Sequence, residues 1–348
     1  MIQSILWKIK KFMFNNKSIL VTGGTGSFGK KIIKKLLTDY NPKKVIIYSR
    51  DELKQYNLQS DLIKFRKKLR FFIGDVRDLP RLKKSFSQVN YVIHAAAIKQ
   101  VPVAEYNPFE AVKTNIIGTQ NVVDAALEMG IEKVISLSTD KASSPANLYG
   151  ATKLTADKLI VAGNYHKGLA PTKFSVVRYG NVFGSRGSIV PHLLNLKKNS
   201  IFTITNTKMT RFTITLNEGI DFVLRCLKGM WGGEIFIPKI YSYKLTDLVS
   251  ALSENTKMKI IGIRPGEKIH EEMISINDAI NTLEYKDGYV ICPSPEFMKW
   301  DNKKYKRYIK GKSCAENFSY TSGKNKFLTI NELKKIAKNN IDDFELDK

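Results

Sequence analysis

The chain is 348 residues long, and its 43% hydrophobic and 10% aromatic content is enough to bury one large domain with a smaller dependent one. Its 57 basic residues outnumber the 32 acidic ones to leave a net charge of +25, which attracts anions, whether nucleic acid, membrane surface or small molecule, without choosing among them. Three widely spaced cysteines, Cys226, Cys292 and Cys314, exclude a disulfide framework and a metal spacing, and no apolar run reaches the ~18 residues that cross a bilayer, so a soluble protein of the reducing cytoplasm is expected.

Residues 1–17, "MIQSILWKIKKFMFNNK", form a basic extension with no signal-peptide core or cleavage site. Ile2, Ile5, Leu6, Ile9 and Phe12 recur there at helical spacing among lysines, which fits a membrane-surface helix or, more simply, an extension upstream of a start at Met13. From residue 18 short β-branched runs alternate with segments of helical period: "SILVTG", "KVIIYSR", "LRFFIGDV", "YVIHAAA", "KVISLST" and "FSVVRYG". Strands apolar on both faces and separated by helices imply a parallel sheet covered on both sides, a Rossmann-like doubly wound α/β fold over residues 18–182.

The first of these strands runs into "VTGGTGSFGK", read as Gly24-x-Gly26-x-x-Gly29 or as Gly23-x-x-Gly26-x-x-Gly29. Glycines between a strand and a helix permit a tight turn and close backbone approach to a pyrophosphate, so Gly23, Thr25, Gly26, Ser27, Phe28 and Gly29 are expected at a dinucleotide. After the second strand comes "YSRDELK". An NAD-binding protein usually offers an acid here, whereas Ser49, Arg50 and Lys54 offer a hydroxyl and two cations that suit the 2′-phosphate of NADP. Asp51, turned inward, would favour NAD instead. Asp75 and Val76 after the third strand, and Ala95 and Ala96 after the fourth, are placed to enclose adenine and ribose, although packing explains the alanines almost as well. His94 at the end of the fourth strand reads as a packed side chain rather than a base. The following segment, "NPFEAVKTNIIGTQNVVDAALEMG", predicts a helix with Pro108 in its first turn, Ala111, Ile116, Val122, Val123 and Ala126 as apolar positions, and Gly130 as its stop.

The fifth strand enters "LSTDKASSPANLYGATK". Tyr149 and Lys153, four apart, project from one face of a helix. A neighbouring ammonium and the cofactor's own positive charge stabilise a phenolate whose ordinary pKa is ~10, which makes Tyr149 a base for a hydroxyl whose carbon gives hydride to nicotinamide. After about Val182 the rhythm loosens, and residues 183–348 are expected to be mainly a smaller α/β substrate-binding lobe on the carboxyl edge of the sheet. A charged tail ends it, patterned only in "FLTINELKKIAK", a helix with Thr329 as cap. The densest basic runs, "KKLR" and "WDNKKYKRYIKGK", carry no zinc spacing, RNA-binding signature or basic heptad, and read as solvated surface rather than as a nucleic-acid site. His166, His192 and His270 make no metal constellation, and no metal is expected.

Through "TGGTGSFG", "GDVRD" and "YGATK" the chain resembles the extended short-chain dehydrogenase/reductase family. More narrowly it is similar to the inverting UDP-N-acetylglucosamine 4,6-dehydratases of the pseudaminic acid pathway, from about Ser18 to about Glu272, through "YSRDELKQ", "HAAAIKQVPVAEYNP", "LSTDKA", "VVRYGNVFGSRGSIVP", "MTRFTITLNEG" and "GIRPGEK" in order. The resemblance implies that Tyr149 deprotonates a C4 hydroxyl while hydride passes to NADP+, leaving a 4-keto sugar with an acidified C5 proton. Lys141 is then the implied base at C5, Asp140 the acid at the C6 hydroxyl, and Thr139 the group that orients the keto oxygen. Hydride returns to C6, and reprotonation of C5 on the opposite face inverts it. For this Asp140 has to be raised by burial and Lys141 neutral for part of the cycle.

Related dTDP-glucose dehydratases carry Asp-Glu in place of Asp140-Lys141, 4-epimerases lack the pair, and relatives of the L-fucosamine branch tend to have methionine at position 149, so Tyr149 favours the pseudaminic branch. The same resemblance brings Thr114 and Val182 to the cofactor and Lys99 to the sugar. Asn181, Arg186, Gly187, Ser188, Ile189 and Val190 meet the diphosphate and uracil, with Arg211 and Arg264 on phosphate and Glu267 on ribose hydroxyls. It also implies a closed homo-oligomer such as a hexamer. The competing readings are a UDP-hexose 4-epimerase, a C5-retaining or L-fucosamine-branch dehydratase, a non-catalytic NADP-binding regulator and a basic nucleic-acid binder. Intact Tyr149, Lys153, Asp140 and Lys141 argue against the last two.

Overall fold

The six β-branched runs build one sheet. In the computed structural model, which describes residues 14–196, 201–253 and 256–340, they form β1 (Ser18–Thr22), β2 (Lys44–Ser49), β3 (Leu69–Ile73), β4 (Tyr91–His94), β5 (Lys133–Thr139) and β6 (Lys173–Tyr179), and β7 (Ile235–Pro238) joins them as a further parallel strand. Their order is β3-β2-β1-β4-β5-β6-β7, and antiparallel strands Gly288–Ile291, Thr282–Tyr285 and Lys312–Ser313 extend the β7 edge. The winding reverses between β1 and β4, where loops at the carboxyl ends diverge into a crevice. Register pairs Thr22 with His94 and His94 with Ser136, so the turns after β1 and β4 leave the sheet at one level, with β5 running on beyond it to Thr139.

Helices α1 (Ser27–Asp39), α2 (Glu52–Asp61), α3 (Leu79–Phe86), α4 (Gly118–Glu128), α5 (Leu148–His166) and α6 (Leu216–Gly229) connect and cover the strands. On one face α1 packs against α6, buries Ile32, Ile33, Leu36 and Leu37, and carries Lys35 to within 3.0 Å of Asp221. Each such aliphatic side chain stabilises the fold by about 1.5–3 kcal/mol. On the other face α4 lies between α3 and α5. That arrangement seats Val122, Val123 and Ala126 of α4 in the same core as Val134 of β5 and Ile160 of α5.

The described chain begins inside the expected extension. Phe14 is fully buried, its ring edge-on to Tyr40 and Tyr91 with centroids at 5.0 and 6.0 Å, and Lys17 pairs with Glu132 at 2.6 Å. Residues 1–13, with the amphipathic segment and the alternative start, lie outside the described residues. The sheet also continues past residue 182, because β7, α6 and the antiparallel strands all come from the later half. Those strands span four residues or fewer, too short to carry a readable period.

The rest of the later half forms a lobe with its own core of Phe183, Val190, Phe202, Leu248, Leu328 and Leu333. Its last helix, Ile330–Asn339, starts in a capping box between Thr329 and Glu332. The helix expected over the NPFEA segment runs from Pro108 to Glu128, and Gly130 follows with φ 66°. Its Val112–Ile117 turn widens to i→i+5 hydrogen bonding, which brings Thr114 and Asn115 inward and leaves Ile116 only half-buried. Among the described residues no helix is long and apolar enough to cross a membrane.

Candidate active site

The crevice is a cleft of about 980 Å³ running from the turn after β1 to the lobe. Gly23 has φ +65°, and a side chain there would meet the Ala96 backbone at 3.0 Å; one at Gly29 would meet the Gly23 carbonyl at 2.5 Å. Only glycine allows so close a return of strand onto helix. Gly26 caps α1 with no side-chain hydrogen bond, and the first turn carries no acid. The first-turn N–H groups and the helix dipole therefore open on the cleft, beside Thr25, Ser27 and Phe28. A dinucleotide pyrophosphate fits these features.

Beyond that turn, Gln55 Nε2 donates to Ser49 Oγ at 2.9 Å and Arg50 lies 3.6 Å from Asp75. Asp51 caps α2, accepting from the Lys54 N–H at 2.9 Å and from the Lys54 ammonium. Its carboxylate is thus turned to its own helix, and Lys54 holds it below the usual carboxylate range. Burial pushes Asp75 up, but Arg77, donating from Nη2 at 2.7 Å and from Nε at 3.0 Å, outweighs it and keeps the carboxyl low. Val76, Ala95, Ala96 and Val182 line the same cleft. The widened turn delivers Thr114 there, its hydroxyl buried without a partner.

The chemistry-bearing turn begins where β5 ends. Thr139 Oγ1 accepts from the Lys141 N–H at 3.4 Å and donates to Asp140 Oδ1 at 3.0 Å, which folds the next residues off the strand. Asp140 is fully buried. Lys141 Nζ lies 3.0 Å from Asp140 Oδ1, 3.3 Å from Glu271 Oε1 and 3.4 Å from Asn181 Oδ1. Burial pushes the Asp140 carboxyl up while Lys141 opposes it. The second oxygen, Oδ2, is buried without a partner, a setting that favours the protonated acid. Burial works against charge on Lys141 too, but Asp140 and Glu271 outweigh it and hold the ammonium above its ordinary value.

Helix α5 starts at Asn147, whose side chain accepts from the Gly150 N–H at 2.8 Å, and places Tyr149 and Lys153 one turn apart in the cleft. Lys153 donates to the Leu137 carbonyl at 2.8 Å. Burial draws its pKa down, with Asp157 opposing. Burial pushes Tyr149 up to about 12, and Lys141 is the cation that counters it. His94 is packed between Thr22 (2.8 Å) and Thr119 (3.2 Å), and burial brings its pKa down to about 3, so it is a neutral structural side chain.

On the lobe side, Lys99 donates to the Arg186 carbonyl at 3.1 Å, and Asn181, Arg186, Gly187 and Ser188 line the cleft. Ile189 and Val190 open the helix Ile189–Leu194 and pack into the lobe core instead. Arg211, on the strand Thr210–Ile214, donates to the carbonyls of Thr210 (2.7 Å) and Ile269 (3.2 Å) and lies 3.5 Å from Glu271. Arg264 and Glu267 close a turn on each other, the Arg264 N–H donating to Glu267 Oε2 at 3.2 Å, and do not line the cleft. Asn147 Nδ2 donates to the Gly266 carbonyl at 3.0 Å and ties that turn to the start of α5. Sequence reasoning missed Glu271. Its only signal was the segment "GIRPGEKIHEEM", which has no period that would aim one acid rather than another at Lys141.

A family model described as polysaccharide biosynthesis protein matches residues 19–293. A UDP-N-acetylglucosamine 4,6-dehydratase (inverting) of Campylobacter jejuni subsp. jejuni is 54% identical over 317 residues, covering 90% of this chain and 94% of that protein. A UDP-glucose 4-epimerase of Rickettsia rickettsii is 38% identical over 333 residues, covering 93% and 96%. Among solved structures, that of Pen from Bacillus thuringiensis is 40% identical and superposes with a TM-score of 0.84 over 94% of this chain and 99% of that one.

Proposed function

The chain belongs to the polysaccharide biosynthesis protein family, within the extended short-chain dehydrogenase/reductases, and on that premise we propose that it is an NADP-dependent UDP-N-acetylglucosamine 4,6-dehydratase that inverts C5. Its product is UDP-2-acetamido-2,6-dideoxy-β-L-arabino-hex-4-ulose, which begins pseudaminic acid biosynthesis. One observation carries this reading: Lys141 shares the cleft with Tyr149 and Lys153, and Asp140, fully buried behind the cleft wall, lies 3.0 Å from the Lys141 ammonium. The 54% identity to a protein of that name supports it. Asp51, engaged with its own helix, leaves Ser49 and Arg50 as the groups for a 2′-phosphate, which supports NADP.

The glycine turn and the N-terminus of α1 would hold the cofactor's pyrophosphate. When bound, the nicotinamide supplies a hydride acceptor for C4 and a hydride donor for C6. Tyr149 takes the C4 hydroxyl proton as the phenolate, with the Lys141 ammonium as the cation that favours it, and Lys153 on the same helix face is anchored on the Leu137 carbonyl. Thr139 orients the C4 oxygen. Oxidation at C4 acidifies the C5 proton, and Lys141 removes it while Asp140 protonates the departing C6 hydroxyl as water. One proton transfer from Lys141 to Asp140 over 3.0 Å generates both the neutral amine and the neutral acid that this step needs. C5 then receives a proton from water on the face opposite Lys141, balanced by release of the proton that Tyr149 took, and return of the C5 proton from Lys141 to Asp140 resets the pair.

A second reading, a UDP-hexose 4-epimerase, has the relatives so named on its side. It leaves the buried Asp140–Lys141 pair without work. Incubation with UDP-N-acetylglucosamine in heavy water, followed by NMR of the sugar, separates the two. Deuterium at an inverted C5 and loss of the C6 hydroxyl are expected; a C4 epimer formed without water loss would refute the dehydratase.

A further inference from the structure

The elimination half of the site contains a second carboxylate that the mechanism above does not use. Glu271 is buried, with Oε1 3.3 Å from Lys141 Nζ and 3.5 Å from Arg211 Nε, while Oε2 has no hydrogen-bond partner. Its backbone is fixed from several directions. Its N–H donates to Ser322 Oγ at 2.9 Å, its carbonyl accepts from the Ser322 N–H at 2.8 Å, and Thr210 accepts or donates across to His270 Nδ1 and Ser322 Oγ, both at 2.8 Å. A side chain at Gly323 would fall 2.7 Å from the His270 ring, so the chain is closely packed against this segment.

From this geometry we propose that Glu271 is a positioning residue for the elimination step, holding the Lys141 ammonium against Asp140 and keeping the one catalytic proton on the Asp140–Lys141 pair. The inference rests on the dehydratase reading for its consequence in turnover, but the charge arrangement stands on its own. The groups that face Lys141 are Asp140 on the same turn, Tyr149 on α5, Arg211 on Thr210–Ile214, Tyr243 on Tyr241–Lys244, and Glu271, which Lys268 also approaches. Burial alone would push Glu271 up. Lys141, Arg211 and Lys268 instead hold it ionised.

The sign follows from the charges. A carboxylate at 3.3 Å favours the protonated form of Lys141, and by repulsion the protonated form of Asp140 as well. Its effects on transfer between the two partners oppose each other, so the net effect falls on whether the pair keeps its proton at all. Removing the charge of Glu271 lets that proton leave at lower pH and moves the alkaline limb of dehydration downward. Removing the charge of Arg211 acts in the opposite direction on Lys141.

The test uses the full chain with its cofactor and reads Lys141 directly, by competitive acetic anhydride labelling with peptide mass spectrometry across pH, alongside the pH profile of dehydration. In the parent protein Lys141 is expected to resist labelling where ordinary lysines, with pKa about 10.4, react. Glu271→Gln should lower its titration, and the alkaline limb with it, by about one to three pH units. Arg211→Gln should shift the labelling the other way, and carries the test by itself if the Glu271→Gln variant does not fold. An unchanged Lys141 titration in a folded Glu271→Gln variant, or a shift in the same direction in both variants, overturns the assignment. Because labelling needs no sugar, failure of the dehydratase reading would show separately, as absence of dehydrated product from the parent enzyme with the Lys141 shifts intact.

Discussion

Replacing Gly150 by alanine tests whether the redox pair and the elimination pair have to keep their spacing. Gly150 follows Tyr149 in α5, and a methyl group there would lie 2.3 Å from the Lys141 carbonyl oxygen and 3.0 Å from Pro145 Cβ. Ordinary contact requires about 3.5 Å, so the turn bearing Asp140 and Lys141 has to retreat by roughly 1 Å. Neither neighbour is a flexible side chain that can rotate away. Overpacking of this kind costs about 1–3 kcal/mol, and the better helix propensity of alanine offsets about 1 kcal/mol of it. Denaturant unfolding should therefore show Gly150→Ala less stable by up to about 2 kcal/mol. A misplacement of about 1 Å lowers a rate by about 10²-fold. Tyr149 and Lys153 travel with α5, whereas the Asp-Lys turn moves away from it, so dehydration should fall by that factor while single-turnover reduction of the cofactor, followed by nicotinamide absorbance, is largely kept. A variant with the parent's dehydration rate and the parent's unfolding midpoint would show that the close approach imposes no constraint, and the reasoning would fail.

Lys141→Ala should lower dehydration by about 10²–10⁴-fold while NADP binds as in the parent; calorimetric titration checks this, and lost cofactor affinity would remove Lys141 from the elimination step. Arg50→Ala should weaken NADP by about tenfold and NAD much less, since a single charge-assisted contact contributes about 1.5–3 kcal/mol before solvent exposure discounts it; equal loss for both cofactors would point away from the 2′-phosphate. His94 gives a pH dependence. Its folded pKa of about 3 lies below the ordinary value of 6.5, so the neutral ring adds stability above about pH 6.5 that is lost as pH falls toward 3, roughly 4–5 kcal/mol in all. Urea unfolding at several pH values should show a shallower slope in a folded His94→Asn variant, and an unchanged slope would place the acid sensitivity elsewhere.

Much of this site is local in sequence, and local signals are readable. A glycine run between an apolar strand and a helix, a tyrosine and a lysine four apart, and an Asp-Lys pair just after a strand each depend on backbone geometry within a few residues. The Rossmann-like order follows in the same way from short apolar runs with helices between them. The signal failed where elements were too short for a period, as in β7 and its antiparallel neighbours, or where a side chain is aimed by distant packing. Ile189 and Val190 belong to a contiguous motif, yet helix geometry turns them into the lobe core. Arg211 reads as a cation for phosphate, and the structure commits it to two carbonyls and Glu271.

What residue order alone determined is therefore the fold class; the glycine turn after β1 and the candidates Tyr149 and Lys153 were legible in it, and the candidates Asp140 and Lys141 through family resemblance. The charge state of those side chains was settled elsewhere. Lys141 is held above its ordinary value by Asp140 beside it and by Glu271, which the packing of the lobe and the Tyr320–Ser322 segment carries to 3.3 Å, and Asp140 is raised because folding takes it wholly out of water. Electrostatic interaction and desolvation depend on distance in space and on burial, and neither quantity exists until the chain has folded.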